Sequence, residues 1–285
     1  MTRQFSFLML LLCTVVYGQN QRFVYEYRFI PDSTEREQIK TEMMHLDVSP
    51  KRSTFYSYQA FKNDSLLKDQ IAKMKAMDGI AAPISVKTAG GRALVKDEVT
   101  KTYPEFVTTL HAKVGVDRYA VTDARPMQWN ILPQEEKVGQ WQAQKATTEA
   151  FGRKWIAWFS TDIPLQDGPY KFRGLPGLIV KLQDDTGSHV FELKASQKIA
   201  ATADNGRESS GQRETEISHE RYKKLLADYR KDPNASLRQL MAGGNVKIRT
   251  SDGNTDIGKI MRDREQALQK KMEKDNNPIE LDLLK

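Results

Sequence analysis

Gly168-Pro169-Tyr170-Lys171-Phe172-Arg173-Gly174-Leu175-Pro176-Gly177-Leu178-Ile179-Val180 is the stretch on which the reading of this chain turns. Leu175 precedes proline and is biased to an extended backbone. Pro176 fixes φ at the second position of a turn, and Gly177 takes the positive φ that a type II turn needs at the third. Leu178, Ile179 and Val180 then open a strand with few polar side chains, as expected for one buried on both faces. Gly174 allows a bend or a close backbone approach, and Gly168-Pro169 breaks the chain upstream. Gly168, Pro169, Gly174, Leu175, Pro176, Gly177, Leu178 and Ile179 are therefore expected to act structurally, as a turn that launches a buried strand.

Before that break, residues 152–164 read GRKWIAWFSTDIP. On a strand Trp155, Ala157 and Phe159 share one face while Ile156 and Trp158 share the other, and both faces call for burial. Such a tryptophan pair is core, or core plus one wall of a ligand cavity, since large aromatics also line small-molecule clefts. Asp162, ahead of Ile163-Pro164, is a turn residue or, desolvated beside the tryptophans, an acid. Arg153, Lys171 and Arg173 flank the block as a solvated rim or as contacts to an anion. The candidate ligand contacts are Trp155, Trp158, Asp162, Tyr170 and Arg173. Asp184-Asp185, just after the motif strand, reads as paired acidic surface; its spacing does not support a calcium or acid–base role.

Working outward, the period from Arg22 to Ile199 is mostly two. Phe23, Tyr25, Tyr27 and Phe29 alternate with polar residues, and Met44, Leu46 and Val48 continue the pattern into Phe55-Tyr56. Further strands are expected over 93–102, 117–122, 127–132, 138–147, 154–160, 178–183 and 189–199. A helix over 63–77, capped by Asn63 or Asp64 and ended by Asp78-Gly79, interrupts them. The fold class is thus mainly β (α+β): a large curved antiparallel sheet or half-open barrel over 19–200. Residues 201–285 are expected to pack on it as a polar loop and helical appendage. Residues 203–216 bury almost nothing and read as a surface loop. A helix capped by Ser218 follows, with Tyr222, Leu225, Leu226 and Tyr229 as its apolar stripe. Asp232-Pro233 stops it, a short helix ends at Gly243-Gly244, and a charged helix runs from about Ile257 to Lys274.

The block as a whole resembles the GLPGLI family of exported Bacteroidetes proteins. The resemblance is carried by Gly139-Gln140-Trp141-Gln142-Ala143-Gln144-Lys145-Ala146, Gly152–Trp158, Asp162-Ile163-Pro164, Gly168-Pro169-Tyr170 and Gly174–Ile179. Leu46-Asp47-Val48 and Ser53-Thr54-Phe55-Tyr56-Ser57 are similar to that family's first strand pair. Ala143 stands where the family pattern has cysteine. The resemblance implies export and a β-rich fold; it implies no agreed activity.

Residues 1–18 have the layout of a secretory signal peptide: Arg3, an apolar run from Phe5 to Val16, and short residues before a cleavage point near Gly18. Cys13, the chain's one cysteine, lies within it, and Leu12 is not the small residue a lipobox places there. The expected mature chain therefore has no disulfide or thiolate chemistry. With 44 Lys+Arg against 37 Asp+Glu the chain is basic, but acids are interleaved, unlike the single stripe of a nucleic-acid binder. No G-x-S-x-G, H-E-x-x-H, P-loop or G-x-G-x-x-G occurs, and His45, His111, His189 and His219 lack a ligand spacing. No cofactor, metal, nucleic acid or transmembrane segment is expected. The expected function is a periplasmic or surface-exposed, non-enzymatic accessory module that binds an envelope protein, lipid or glycan. The alternative is a hydrolase of envelope or glycan substrates using Asp162 or another carboxylate, with two carboxyl groups facing one cleft.

Overall fold

The computed structural model describes residues 20–76, 91–200, 213–242 and 256–284. The expected leader, the turns at Asp78-Gly79 and Gly243-Gly244, and residues 203–212 of the expected loop lie outside them. Among the described residues the fold is mostly β, with four α-helices and one twelve-stranded sheet that does not close. The strands are β1 (Asn20–Phe29), β2 (Lys40–Val48), β3 (Arg52–Ser57), β4 (Glu98–Thr102), β5 (Val107–Val114), β6 (Asp117–Asp123), β7 (Asn130–Val138), β8 (Trp141–Ala150), β9 (Arg153–Ser160), β10 (Leu178–Asp184), β11 (His189–Ile199) and β12 (Thr215–Ser218). The helices are α1 (Tyr58–Ala76), α2 (His219–Lys231), α3 (Ala235–Ala242) and α4 (Ile257–Lys274). The sheet order is β12-β6-β5-β4-β3-β2-β1-β11-β10-β9-β8-β7. All neighbours are antiparallel except β12, which lies parallel to β6.

Register explains why these strands stay together. Phe23, Leu46, Phe55, Val99, Leu110, Val121 and Ile217 are paired in succession from β1 across to β12. All are buried, so one apolar row runs over seven strands and fixes the register, because a one-residue slip would turn each side chain to the other face. Two residues along lies a row of different character. Ser53, Lys101, Thr108 and Asp123 are paired in succession on the same face. They too are buried.

Three expectations are corrected here. The helix expected over 63–77 starts at Tyr58, because the Ser57 hydroxyl accepts the Ala60 N–H at 3.0 Å and acts as the cap. Asn63 sits inside the helix, accepting a hydrogen bond from Gln59 at 2.9 Å. Strand β5 was not expected, nor was β12, which takes Thr215 and Glu216 from the end of the segment read as a polar loop and adds Ile217 to the apolar row. Helices α2 and α4 lie where the sequence places them, with Ser218 accepting from the Arg221 N–H as cap of α2.

Candidate functional site

The segment from Thr161 to Gly177 leaves the sheet after β9 and lies on the polar row. Asp167 is 1% exposed and pairs with Lys101, which is 0% exposed. It also accepts the Ser53 hydroxyl at 2.5 Å and the Tyr103 hydroxyl. The Lys101 ammonium donates to the carbonyls of Gly168 at 2.8 Å and Tyr170 at 2.9 Å. One lysine on β4 thereby gathers the loop around itself. Burial lowers the Lys101 pKa against the pull of Asp167. Further along, Arg173 reaches Thr108 in the same row, its Nε donating at 3.3 Å.

Pro176 and Gly177 do not form the expected type II turn. The Gly177 N–H donates to the Leu175 carbonyl at 2.8 Å, a three-residue turn centred on Pro176. Gly177 has no positive φ; it is required because a Cβ there would sit 2.2 Å from the Ser160 carbonyl oxygen. Gly174 carries the positive φ instead, +93°, with open space where a Cβ would point. The two glycines thus exchange the parts the sequence suggests for them. Leu178 and Ile179 then donate to the Ile163 and Asp167 carbonyls, both at 3.0 Å, before β10 pairs with β9.

A second ionic cluster joins the loop to β6 and to the C-terminal residues 276–284. Lys171, 3% exposed, lies 2.8 Å from Asp123 and 2.6 Å from Glu280. Arg125 bridges Asp123, Glu280 and Asp282 and stacks on the Phe151 ring at 4.7 Å. Burial acts to raise the Asp123 carboxyl, but Arg125 and Lys171 outweigh it and hold the group well below its ordinary value. Asp123, His219 and Glu280 bring one ligand atom each within 4.8 Å of the others, and His219 Nδ1 is buried without a hydrogen-bond partner. Yet every carboxylate oxygen of Asp123 and Glu280 already accepts from Arg125, Lys171 or Tyr170. A divalent ion would have to displace both cations, so the donors form a closed ion cluster, not a metal centre.

A third anchor holds the tail from the other side. Arg153 pairs with the fully buried Asp184 at 3.0 Å and donates to Asn277 Oδ1 and the Pro278 carbonyl, both at 2.6 Å. His189 Nε2 meets the Asn277 carbonyl at 3.1 Å, and Nδ1 meets the Tyr27 hydroxyl at 2.7 Å. A carbonyl only accepts, so Nε2 carries the proton and Nδ1 accepts from Tyr27. Asp184 is thus core, not the paired acidic surface expected, while Asp185 beside it is exposed. Arg153 and Lys171 are likewise buried ion-pair partners and form no solvated rim.

The five candidate ligand contacts do not converge. Trp155 is fully buried, its N–H donating to the Ala150 carbonyl at 3.0 Å and its ring 4.7 Å from Phe172. Trp158, three residues on, faces the opposite side of β9, with the Lys181 ammonium 4.5 Å from its ring centre. Asp162 is exposed in the turn after β9. Tyr170 gives its hydroxyl to Glu280, and burial raises its pKa well above ordinary. Arg173 lies over the Phe106 ring at 5.8 Å. Ala143 is 1% exposed within β8.

A different surface has the form of a site. A groove of about 640 Å³ is lined by Gln128, Trp129, Asn130, Thr147, Thr148, Glu149, Lys154, Trp155, Ile156 and Asp185, at the β7–β9 end of the sheet. The half-buried Trp129 is fixed by its N–H, which donates to the Arg173 carbonyl at 2.8 Å. Thr148 ties β8 to the Gln128 carbonyl at 2.6 Å. The side chains of Gln128, Asn130, Thr147 and Asp185 make no hydrogen bond with any described residue. Trp155, from the candidate set, borders the groove but is fully buried and presents no exposed side chain to it. Sequence reading missed Trp129, although a tryptophan beside Gln128 and Asn130 at the start of an exposed strand was the available signal.

A mostly β protein with an ion-locked core face and an open flank groove is the class that fold and site define. The family model described as "Protein of unknown function (Porph_ging)" matches residues 122–181, from the end of β6 into β10. That span includes Asp123, Arg125, Trp129, Lys171 and the whole GLPGLI block. Crystal structures of PNGF-II in space groups P21 and C2 are similar in fold, each with a TM-score of 0.50 and 15% sequence identity. The likeness covers 74% of this chain and 34% and 33% of those chains. This chain therefore spans about a third of their length, and at that identity the likeness is one of fold alone. No curated protein matches in sequence. No helix among the described residues is long and apolar enough to cross a membrane.

Proposed function

We propose that this chain is an exported, non-enzymatic binding module of the bacterial cell envelope, in which a bent sheet is stiffened from within and the flank groove takes the partner. One observation carries the reading: the buried charged groups of the motif region pair with each other inside the protein, whereas the side chains of Gln128, Asn130, Thr147 and Asp185 at the groove make no hydrogen bond with a described residue. Internal pairing of Lys101, Asp167, Lys171, Asp123, Arg153 and Asp184 suits a brace. Unpaired side chains around a tryptophan in an open concavity suit recognition. A fold that fills a third of a longer chain elsewhere is consistent with a modular role. Export rests on the leader-like first eighteen residues.

The test is native mass spectrometry of mature protein taken from its own envelope fraction, beside a Trp129→Ala variant. A co-purifying protein, lipid or glycan that the variant loses supports the reading; wild type and variant alike with nothing bound, in the absence of crosslinked partners, overturns it. N-terminal sequencing of the same sample should begin near Gln19. The hydrolase reading keeps one specific support, since Glu149 and Asp185 both line the groove. Against it, the Glu149 side chain is 79% exposed and is not desolvated as an acid catalyst at neutral pH requires.

A further inference from the structure

We infer that the ligand of the flank groove is a neutral saccharide chain, recognised by Trp129 and Ile156 through its C–H faces and by Gln128, Asn130, Thr147 and Asp185 through its hydroxyls. The inference rests on the binding-module reading and names the ligand that reading leaves open.

Four observations narrow the chemistry. The backbone under the groove is already paired, Asn130 with Thr147, Thr147 with Ile156 and Ile156 with Gln183. The floor between β7 and β9 therefore offers a ligand no unpaired backbone and recognition on it falls to side chains, while the outer edge of β7, the last strand in the sheet order, pairs with no described strand. The charges at the lining are Glu149 and Asp185 against Lys154. An excess of carboxylate repels phosphate, sulfate or a fatty-acid headgroup. The groove is open to solvent and edged by amide, hydroxyl and carboxylate groups, whereas an acyl chain needs an enclosed apolar cavity to leave water. Trp129 spends its only donor on the Arg173 carbonyl, so what it offers a ligand is the apolar face of a fixed ring. A ligand with one apolar face and a rim of hydroxyls satisfies all four. At about 640 Å³ the groove falls inside the range of roughly 300–1,000 Å³ found for small-ligand sites.

The experiment titrates the mature full-length chain with cellotetraose, chitotetraose and mannotetraose, by calorimetry and by amide chemical-shift mapping. At least one should bind with shifts at residues 128–130, 147–149 and 154–156. Trp129→Ala should weaken it more than about tenfold. Asn130→Ala and Asp185→Asn, surface changes that leave folding intact, should each weaken it severalfold, and Asp162→Asn should leave it unchanged. Binding that ignores all three groove variants overturns the site. Binding at the groove by an anionic glycan, a peptide or a phospholipid vesicle, with none by the neutral sugars, overturns the ligand inference while leaving the binding module standing. Silence of the groove toward every probe, with an empty native spectrum, overturns both.

Discussion

Segment 161–177 and the groove at Trp129 are made from the same kinds of residue, aromatic rings, carboxylates and a lysine, and differ in whether those groups face one another. In the segment, Asp167, Lys171 and Arg173 reach Lys101, Asp123 and Thr108 in one row of the sheet. In the groove, Glu149 and Lys154 stand 3.9 Å apart, both more than two-thirds exposed, an ion pair worth little in water. Buried ion pairs are poor stabilisers in the sum but severe to break. The comparison therefore predicts a steep difference in what single substitutions do to each region.

The largest effect is expected at Gly177. Its Cβ would overlap the Ser160 carbonyl, which belongs to backbone and cannot swing away, so Gly177→Ala should cost more than about 4 kcal/mol or prevent soluble expression. Gly174→Ala, strained only through its φ of +93°, should cost about 1 kcal/mol. Urea unfolding of the pair checks the order, and equal values would show that close approach is not what Gly177 supplies. Next comes Lys101→Met, which leaves Asp167 charged and buried without its cation and should cost about 3–5 kcal/mol. Lys101→Met combined with Asp167→Leu should recover most of that loss, and a strictly additive double variant would deny the pairing.

Acid should find the tail before it finds the groove. Burial, with Arg153 nearby, lowers His189 from 6.5 to about 4. Its folded value lies below the unfolded one, so its contribution is complete above pH about 6.5 and is lost as pH falls toward about 4, at most about 3 kcal/mol. Asp97 works in the opposite sense. Desolvation of its carboxyl raises it to about 6, which would lower stability as pH rises from about 4 to about 6, but the residue is exposed and solvent screening leaves only a small fraction of that effect. The net expectation is weaker stability at pH 5 than at pH 7. His189→Gln, less stable overall, should flatten that slope, which chemical unfolding at the two pH values measures.

The sequence announces the apolar row and conceals the polar one. Alternation at Phe23, Leu46, Phe55 and Val99 is visible one strand at a time, and pairing only aligns it. Lys101 and Asp123 break the same alternation, each two residues beyond a valine that faces the core. A lysine on the buried face of a strand is a local contradiction, and contradictions of that kind mark a partner supplied from elsewhere. That partner is Asp167, 66 residues away in a segment whose glycines and prolines draw the eye to turns. The tail is hidden for a different reason. Asn277 and Glu280 sit in a short polar run after α4 that carries no period, yet both are buried by contacts with Arg153, Arg125 and Lys171. The groove is hidden because its walls come from 128–130, 147–149, 154–156 and 185, and only the β7–β8–β9 register brings them together.

The smallest stability effects, and the sharpest test of the contrast, belong to that groove. Asn130→Ala removes a side chain with no hydrogen-bond partner among the described residues and Glu149→Gln one half of an exposed ion pair, so each should change unfolding free energy by less than about 0.5 kcal/mol. Trp129→Ala should cost more, because the ring also rests against Phe172 at 6.3 Å and its N–H secures the Arg173 carbonyl. Thermal unfolding of the three variants beside Lys101→Met measures the contrast directly. Should Asn130→Ala or Glu149→Gln cost as much as a core substitution, the groove would be a second brace, and its unpaired groups would no longer argue for a ligand. Should both be silent in stability while altering what the protein carries from the cell, the two regions divide as their chemistry suggests: one closes on itself to hold the sheet, and the other is left open to bind.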